Sequence, residues 1–214
     1  MTRDEVLKLV GNQRLIAILR GDFRGRELAL AQALIEGGVR ALEVSTVSPG
    51  FDRVLRRLVD AFGTKAAIGV GTVLSEAHVA AAADAGATFM VAPNLSLTVL
   101  ASAQDAGLAA FPGALTPTEV LAAADAGADA VKLFPAATVG PEYVRALRGP
   151  LPNLRLIPTG GVALDNLAAW FAAGAWAIAI GSELVRSNEA ELADWPGLRA
   201  RARRFVEASR PKPS

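Results

Sequence analysis

Short apolar runs alternate with longer amphipathic stretches along almost the whole chain. A glycine follows each amphipathic stretch, as is typical of a helix C-terminus, where glycine adopts the left-handed conformation without a steric penalty. Eight such glycines are spaced 20 to 27 residues apart: Gly11, Gly38, Gly63, Gly86, Gly107, Gly127, Gly149 and Gly174. The pattern therefore predicts a helix–strand unit that repeats through the chain.

The apolar runs themselves predict eight strands. They cover residues 15–19, 41–44, 67–70, 89–92, 108–111, 130–133, 154–157 and 175–180. Helices are predicted between them, including 27–36, 51–61, 76–85, 118–126 and 165–173, with one more at each end of the chain. Strands that are apolar on both faces and alternate with helices are typical of a parallel sheet. Eight units predict a closed (β/α)8 barrel, the TIM-barrel fold, as a single domain over 1–214 with a loose tail at 211–214.

Composition and charge exclude several function classes. The net charge is +1, and the one notable basic run, RARARR at 199–204, is expected on the solvated face of a terminal helix, which argues against nucleic-acid binding. The chain has no cysteine, which excludes disulfides, thiol catalysis and cysteine-bound zinc, and its single His78 is expected on a helix surface.

The hydrophobic pattern also bears on membranes. The longest uncharged run, 166–182, is short for a membrane span and is interrupted by Gly174. The first residues, MTRDEVLKLVGNQR, do not have the pattern of a signal peptide. We expect a soluble, cytoplasmic protein without a membrane partner.

Lys132 is the only one of four lysines that interrupts an apolar run, in the segment DAVKLFP. A buried ammonium is costly to desolvate, so such a lysine tends to lose its proton and to become a nucleophile. The alternative is a lysine whose aliphatic stem packs in a strand while its amine reaches the surface. This segment alone leaves both interpretations open.

The active sites of such barrels form where the strands end, so the residues at those ends are candidate pocket walls. They are Arg20, Glu43, Ser45, Thr72, Pro93, Asn94, Pro112, Gly113, Lys132, Phe134, Thr159, Gly160, Gly161, Gly181 and Ser182. Glu43 could form a salt bridge to Lys132 or Arg20, or it could act as a general acid and base. A carboxyl group beside an amine is what imine chemistry requires, because several protons move as the imine forms and breaks.

Two glycine-containing turns follow the last two predicted strands. They are TGG at 159–161 and GS at 181–182. Backbone N–H groups in such turns can hold a phosphate, and in barrels this is a frequent place for one. The two turns together therefore favour a phosphate site.

Six segments carry a family resemblance, in this order and spacing: EGGVRALEVS, GVGTVLS, FPGALTPTE, AVKLFPA, IPTGGV and AIGSELV. Over about residues 15–185 the chain resembles the class I aldolases that act on 2-keto-3-deoxy-6-phosphogluconate (KDPG), 2-keto-4-hydroxyglutarate (KHG) and 2-keto-3-deoxy-6-phosphogalactonate (KDPGal). These lyases belong to carbohydrate metabolism, including the Entner–Doudoroff pathway. The resemblance implies a homotrimer that needs no metal or other cofactor and produces pyruvate and an aldehyde from a small 2-keto acid.

The same resemblance implies roles for the residues at the strand ends. Lys132 would form the Schiff base, and Glu43 would act as general acid and base through a water. The substrate would be bound by Arg20, by Thr72, Pro93 and Phe134 around the pyruvyl group, and by Thr159 at the hydroxylated portion. The phosphate would be bound by Gly160, Gly161, Gly181 and Ser182.

One position departs from the family pattern. Many members have an arginine four residues after the glutamate, where it binds the substrate carboxylate, but here that residue is Val47. Arg20 could replace it, or backbone N–H groups and Thr72 could suffice. The threonine of PTGG favours the gluconate-type enzyme, whereas LIAILRG and VAPN are similar to the galactonate type.

The sequence favours cleavage of KDPG to pyruvate and glyceraldehyde 3-phosphate, or of 4-hydroxy-2-oxoglutarate to pyruvate and glyoxylate. A KDPGal aldolase is the alternative within the family. Outside it, a sugar-phosphate isomerase or epimerase would use Lys132 only as a charge, and a binding protein would not turn its ligand over. A metal-dependent pyruvate aldolase would require a cluster of carboxylates or histidines, and only Glu43 is evident at the barrel mouth.

Overall fold

The computed structural model describes residues 1–210, so the predicted tail at 211–214 lies outside the described residues. Within 1–210 there are nine strands, all paired in parallel. They are β1 (Leu15–Leu19), β2 (Ala41–Ser45), β3 (Ala67–Gly71), β4 (Phe89–Val91), β5 (Ala109–Phe111), β6 (Gly113–Ala114), β7 (Val131–Leu133), β8 (Leu156–Pro158) and β9 (Ile178–Ile180).

The strands form a ring in two arcs, of order β5-β4-β3-β2-β1-β9 and β6-β7-β8. At one junction, Pro112 separates β5 from β6, because proline has no N–H to donate to the ladder. At the other, a parallel bridge between Thr159 and Ala179 joins the end of β8 to β9. With β5 and β6 counted as one interrupted strand, the ring is the eight-stranded barrel that the glycine spacing predicts.

Helices follow the strands in the predicted alternation, together with one 3-10 turn at Ala136–Thr138. In the described part of the chain they are α1 (Arg3–Gln13), α2 (Glu27–Glu36), α3 (Phe51–Phe62), α4 (Glu76–Asp84), α5 (Leu97–Asp105), α6 (Pro117–Asp125), α7 (Pro141–Arg148), α8 (Leu167–Ala172), α9 (Glu189–Leu192) and α10 (Trp195–Ser209). The two terminal helices, α1 and α10, are the extra helices expected at the chain ends. None of the helices in 1–210 is long and apolar enough to span a membrane.

The interior of the barrel is a small apolar cluster, separate from the larger core between sheet and helices. It includes Ile16 and Ile18 of β1 and Phe89 of β4, and it also contains Val6 and Val10 of α1. Helix α1 therefore contributes directly to the barrel interior. Arg3 of this helix also forms an ion pair with Asp129, next to β7.

Two sequence expectations need correction. The last strand starts at Ile178 rather than at residue 175. Trp176 before it makes a single backbone hydrogen bond to the Leu156 carbonyl, and its indole ring lies against Gly11 of α1. The basic run at 199–204 is not wholly a solvated face. The Arg201 side chain is only 16% exposed and forms an ion pair with Glu189.

Candidate active site

Lys132 is the central residue of β7, paired with Gly113 of β6 and Ile157 of β8. Successive side chains of a strand point to opposite faces, and here Lys132 lines the cavity inside the barrel mouth. It is 3% exposed, so the amine does not reach the protein surface. Its Nζ lies 4.9 Å from the centroid of the Phe134 ring. Within residues 1–210 the amine donates no hydrogen bond and forms no ion pair.

Burial lowers the pKa of Lys132. The negative charge of Glu43 partly offsets this effect, and the positive charge of Arg20 adds to it. A larger fraction of the amine is therefore neutral near pH 7 than in an ordinary lysine. A neutral amine at a cavity wall is suited to attack a carbonyl carbon.

Glu43 is the central residue of β2, between Ile18 of β1 and Gly69 of β3. It is 1% exposed, and its Oε2 atom has no hydrogen-bond partner among the described residues. Burial raises the pKa of Glu43, while the nearby charges of Lys132 and Arg20 act in the opposite direction. The carboxyl group thus retains a proton more readily than an exposed glutamate, as a group that both gives and takes protons near neutral pH requires.

The surroundings of Glu43 bear on the salt-bridge interpretation of this residue. Within 1–210 it forms no ion pair with Lys132 or Arg20, which contradicts the purely structural salt bridge. Space for its carboxylate comes from Gly71 of β3, where a Cβ atom would overlap Oε1. A glycine at the end of β3 therefore leaves room for the buried carboxyl group.

Thr72 follows β3 in a left-handed conformation, with φ of 59°. This is unusual for a β-branched residue and indicates local strain. Two hydroxyl groups from the end of β2 hold it: Ser45 Oγ lies 2.8 Å from Thr72 Oγ1, and Thr46 Oγ1 donates to the Thr72 carbonyl at 2.6 Å. The chain thus keeps a strained threonine beside Glu43.

A cavity of about 230 Å³ opens at the C-terminal ends of the strands. Eight of the eleven predicted site residues line it: Arg20, Lys132, Phe134, Thr159, Gly160, Gly161, Gly181 and Ser182. Glu43, Thr72 and Pro93 are not among its lining residues. Glu43 is buried in β2, and Thr72 and Pro93 are partly buried just after β3 and β4.

The cavity also has walls that sequence reasoning missed. The most polar of these are Glu183 and Ser187, which lie in the segment after β9. Glu183 directly follows the GS pair, so the turn signal could have found it. Ser187 lies five residues beyond Ser182, and no local pattern marks it.

Both predicted phosphate turns, after β8 and β9, contribute residues to the lining of this cavity. The N–H groups of Gly161, Ser182 and Glu183 donate to no acceptor within the described residues. Gly160 and Gly161 have φ of 84° and 78°, and a Cβ on Gly161 would overlap Ala137. Free backbone donors at a cavity wall are suited to bind an anion.

Gly181 and Asn166 are two further residues of these turns. Gly181 does not have a positive φ, and a Cβ there would meet only Ile18, at 4.0 Å. Asn166 does not cap α8 with its side chain. Instead, its Oδ1 accepts from Ala163 N and its Nδ2 donates to the Gly161 carbonyl, both at 2.9 Å, so it stabilises the first turn.

Metal coordination has no evident site here. Among residues 1–210, no group of three or more His, Cys, Asp or Glu side chains lies close enough together to hold an ion.

Comparison with known proteins identifies the class to which this barrel and its site belong. The family model described as KDPG and KHG aldolase matches residues 6–200. The 2-dehydro-3-deoxy-6-phosphogalactonate aldolase of Escherichia coli (strain K12) is 40% identical over 176 residues, which are 82% of this chain and 86% of that protein. The 2-dehydro-3-deoxy-phosphogluconate aldolase of Pseudomonas aeruginosa is 33% identical over 195 residues, 91% of this chain and 88% of that one.

A solved structure described as native KDPGal superposes with a TM-score of 0.86 at 38% identity, and the match covers 91% of this chain and 93% of that chain. The protein is thus a barrel aldolase, a carbon–carbon lyase. The chain belongs to the KDPG and KHG aldolase family.

Proposed function

We propose that this aldolase cleaves KDPG to pyruvate and glyceraldehyde 3-phosphate through a Schiff base on Lys132. The observation that carries the proposal is the unpaired amine of the buried Lys132 in a cavity whose lining residues also include free backbone N–H donors. One cavity thus offers a nucleophile for the ketone and a site for the phosphate.

The reaction follows from these positions. The neutral Lys132 amine attacks the C2 ketone, and loss of water gives an iminium that withdraws electrons from C3. The C3–C4 bond then breaks, the aldehyde leaves, and the electron pair remains as the enamine of pyruvate. Protonation of this enamine at C3 and hydrolysis of the imine release pyruvate and regenerate the amine.

Glu43 acts as the general acid and base in this reaction. It takes the proton of the C4 hydroxyl during cleavage and later returns one to the enamine. Because Glu43 is buried outside the cavity lining, a water bridges it to the substrate. Its raised pKa suits a group that must be protonated in one step and ionised in the next.

The remaining predicted residues bind the substrate. Arg20 has no ion-pair partner within residues 1–210 and lines the cavity, so its guanidinium is available to an anionic group of the substrate. Thr72, Pro93 and Phe134 surround the pyruvyl portion, and Thr159 faces the hydroxylated portion. The phosphate binds at Gly160, Gly161, Gly181 and Ser182, which use remote binding energy to orient the reacting carbons.

KDPGal, the C4 epimer of KDPG, is a second candidate substrate. The E. coli relative named for the galactonate is 40% identical, against 33% for the P. aeruginosa relative named for the gluconate. Thr159 lines the cavity, and the resemblance of its PTGG segment to the gluconate-type enzymes favours the gluconate.

An assay of pyruvate release with KDPG, KDPGal and 4-hydroxy-2-oxoglutarate tests the proposal. We expect the highest kcat/KM with KDPG, full activity in a metal chelator, and no activity for Lys132→Arg. A higher kcat/KM with KDPGal would assign the second candidate, and activity of Lys132→Arg would refute the Schiff base.

We also propose that the enzyme works in the cytoplasm as a homotrimer, as the family resemblance implies. Exposed apolar side chains after three successive strands support an assembly, because Val47, Leu74 and Leu97 are 56–61% exposed. Sedimentation velocity tests it, with a trimer as the expected species and a monomer as the contradicting one.

A further inference from the structure

We propose that the buried pair of Arg201 and Glu189 positions the turn after β9 for phosphate binding, which makes helix α10 part of the specificity for phosphorylated substrates. The inference rests on the proposed function in that it assigns the ligand of this turn. Neither residue contacts the cavity, so both are positioning residues.

The pair is unusual among the ion pairs of the described residues. The side chains of Glu189 and Arg201 are 2% and 16% exposed. By contrast, Arg199, also on α10, pairs with Glu36 of α2, and both of these side chains are at least 40% exposed. A buried pair seldom stabilises a protein more than apolar residues would. Stability alone therefore does not account for the pair, and its other contacts indicate a role in holding a particular backbone conformation.

Both members of the pair hold the backbone of the segment that lines the cavity. Arg201 Nε donates to the Leu184 carbonyl at 2.7 Å. Glu189 Oε2, which accepts from Arg201, also accepts from the Arg186 N–H at 3.1 Å. The segment is thus fixed at two points, one on each side of Val185.

These two points lie next to the free donors. The Gly181 carbonyl accepts from Leu184 N at 2.9 Å and from Val185 N at 2.8 Å, which closes the turn on itself. Ser182 and Glu183 lie between Gly181 and Leu184 and line the cavity. Their N–H groups have no acceptor within 1–210. Movement of the Leu184 carbonyl would therefore reorient the two N–H groups proposed to meet the phosphate.

Helix α9 is held from a second side. Arg26, just before α2, donates from a guanidinium nitrogen to the Ala190 carbonyl at 3.0 Å. The family match ends at residue 200, one residue before Arg201. The contacts of Arg201 are therefore not part of what the family assignment supplies.

The test compares Arg201→Ala with Arg199→Ala, which removes the exposed ion pair of the same helix. Steady-state kinetics are measured with KDPG and with 2-keto-3-deoxygluconate, which lacks the phosphate. For Arg201→Ala we expect KM for KDPG to rise about tenfold, the equivalent of one charge-assisted hydrogen bond, with kcat/KM for the unphosphorylated acid changed less than about twofold. Arg199→Ala should leave KM and kcat/KM unchanged for both substrates.

Glu189→Gln provides a second variant if Arg201→Ala does not fold. It preserves the shape and the acceptor for Arg186 N–H and removes only the charge, so we expect a smaller rise in KM for KDPG alone. Equal losses with both substrates, or an unchanged KM for KDPG in both folded variants, would overturn the inference.

A binding measurement separates this inference from the proposed function. Inorganic phosphate should raise the Tm of the wild-type protein and of Arg199→Ala more than that of Arg201→Ala. If the wild type cleaves neither keto acid, the proposed function fails, while a phosphate effect that depends on Arg201 still supports the inference. An equal phosphate effect in all three proteins would overturn it.

Discussion

At the scale of single residues, the site contains two ionisable side chains that are buried without ion-pair partners in the described structure. Lys132 is 3% exposed and Glu43 is 1% exposed. Burial shifts the pKa of each toward its neutral form. Such shifts cost stability, as is typical of groups in functional sites, and they support the chemical roles proposed for both residues.

The lowered pKa of Lys132 predicts a pH-dependent gain of stability in Lys132→Met. Between the folded pKa and the ordinary value of 10.5, the unfolded chain holds a proton that the folded wild type has lost. The free energy of unfolding of the wild type therefore rises with pH through this interval and levels off above it. Lys132→Met should be more stable than the wild type, by an amount that is largest at the acid end and shrinks toward pH 10.5.

Urea unfolding at a series of pH values measures this difference. Lys65→Met serves as the control, because Lys65 is exposed and should show no such trend. A stability difference between Lys132→Met and wild type that is constant with pH would contradict the assigned burial of the charge.

Thr72 offers a test of strain at the site. Thr72→Ala and Thr72→Gly both lose the hydroxyl that contacts Ser45, but only glycine is relaxed at φ of 59°. We expect Thr72→Gly to exceed Thr72→Ala in the free energy of unfolding by about 1 kcal/mol, with reduced aldolase activity in both. Equal stabilities in chemical denaturation would show that the conformation carries no strain.

Sequence patterns identified some of these residues but not their surroundings. Lys132 stands out because it interrupts an apolar run, and Glu43 because it ends one. The space that Gly71 leaves for the Glu43 carboxylate depends on the neighbouring strand, and the chain order alone does not reveal which glycine lies opposite.

At the scale of elements, the turns after β8 and β9 determine where an anion can bind. Each turn has free N–H donors, and side chains that lie outside the turn stabilise its backbone. Asn166 stabilises the turn after β8, and Arg201 and Glu189 stabilise the turn after β9. The glycines of these turns could be found in the sequence. Their supports could not, because Arg201 and Glu189 are brought together only when α10 packs against the barrel.

Gly161→Ala tests the first turn, with Gly107→Ala as a matched control. Both glycines have positive φ, 78° and 72°, but a Cβ has nothing within 4 Å at Gly107 and overlaps Ala137 at Gly161. Gly107→Ala should lose about 1 kcal/mol of stability from backbone strain alone. Gly161→Ala should lose about 1–3 kcal/mol more from overpacking and should raise KM for KDPG.

Thermal unfolding and kinetics on both variants check this expectation. Equal destabilisation by the two substitutions, with an unchanged KM, would mean that the turn at Gly161 is not shaped by its contact with Ala137.

At the scale of the whole molecule, the glycine spacing predicted the barrel because each unit repeats one physical arrangement, a helix capped by glycine before a buried strand. The glycine spacing could not predict how the barrel closes. The interruption at Pro112 and the single bridge between Thr159 and Ala179 depend on how the strands tilt and meet around the ring. The cavity, which forms only on closure, was predicted as a list of fifteen strand-end residues, and seven of these lie outside its lining.

The central claim is that Lys132 forms a Schiff base with a 2-keto acid, and one measurement tests it most directly. The protein is incubated with pyruvate and borohydride, and its intact mass and peptide map are determined. We expect one reduced pyruvyl adduct per chain, located on Lys132 and absent from Lys132→Arg. An unmodified Lys132 with pyruvate in large excess, or an adduct on another residue, would contradict it.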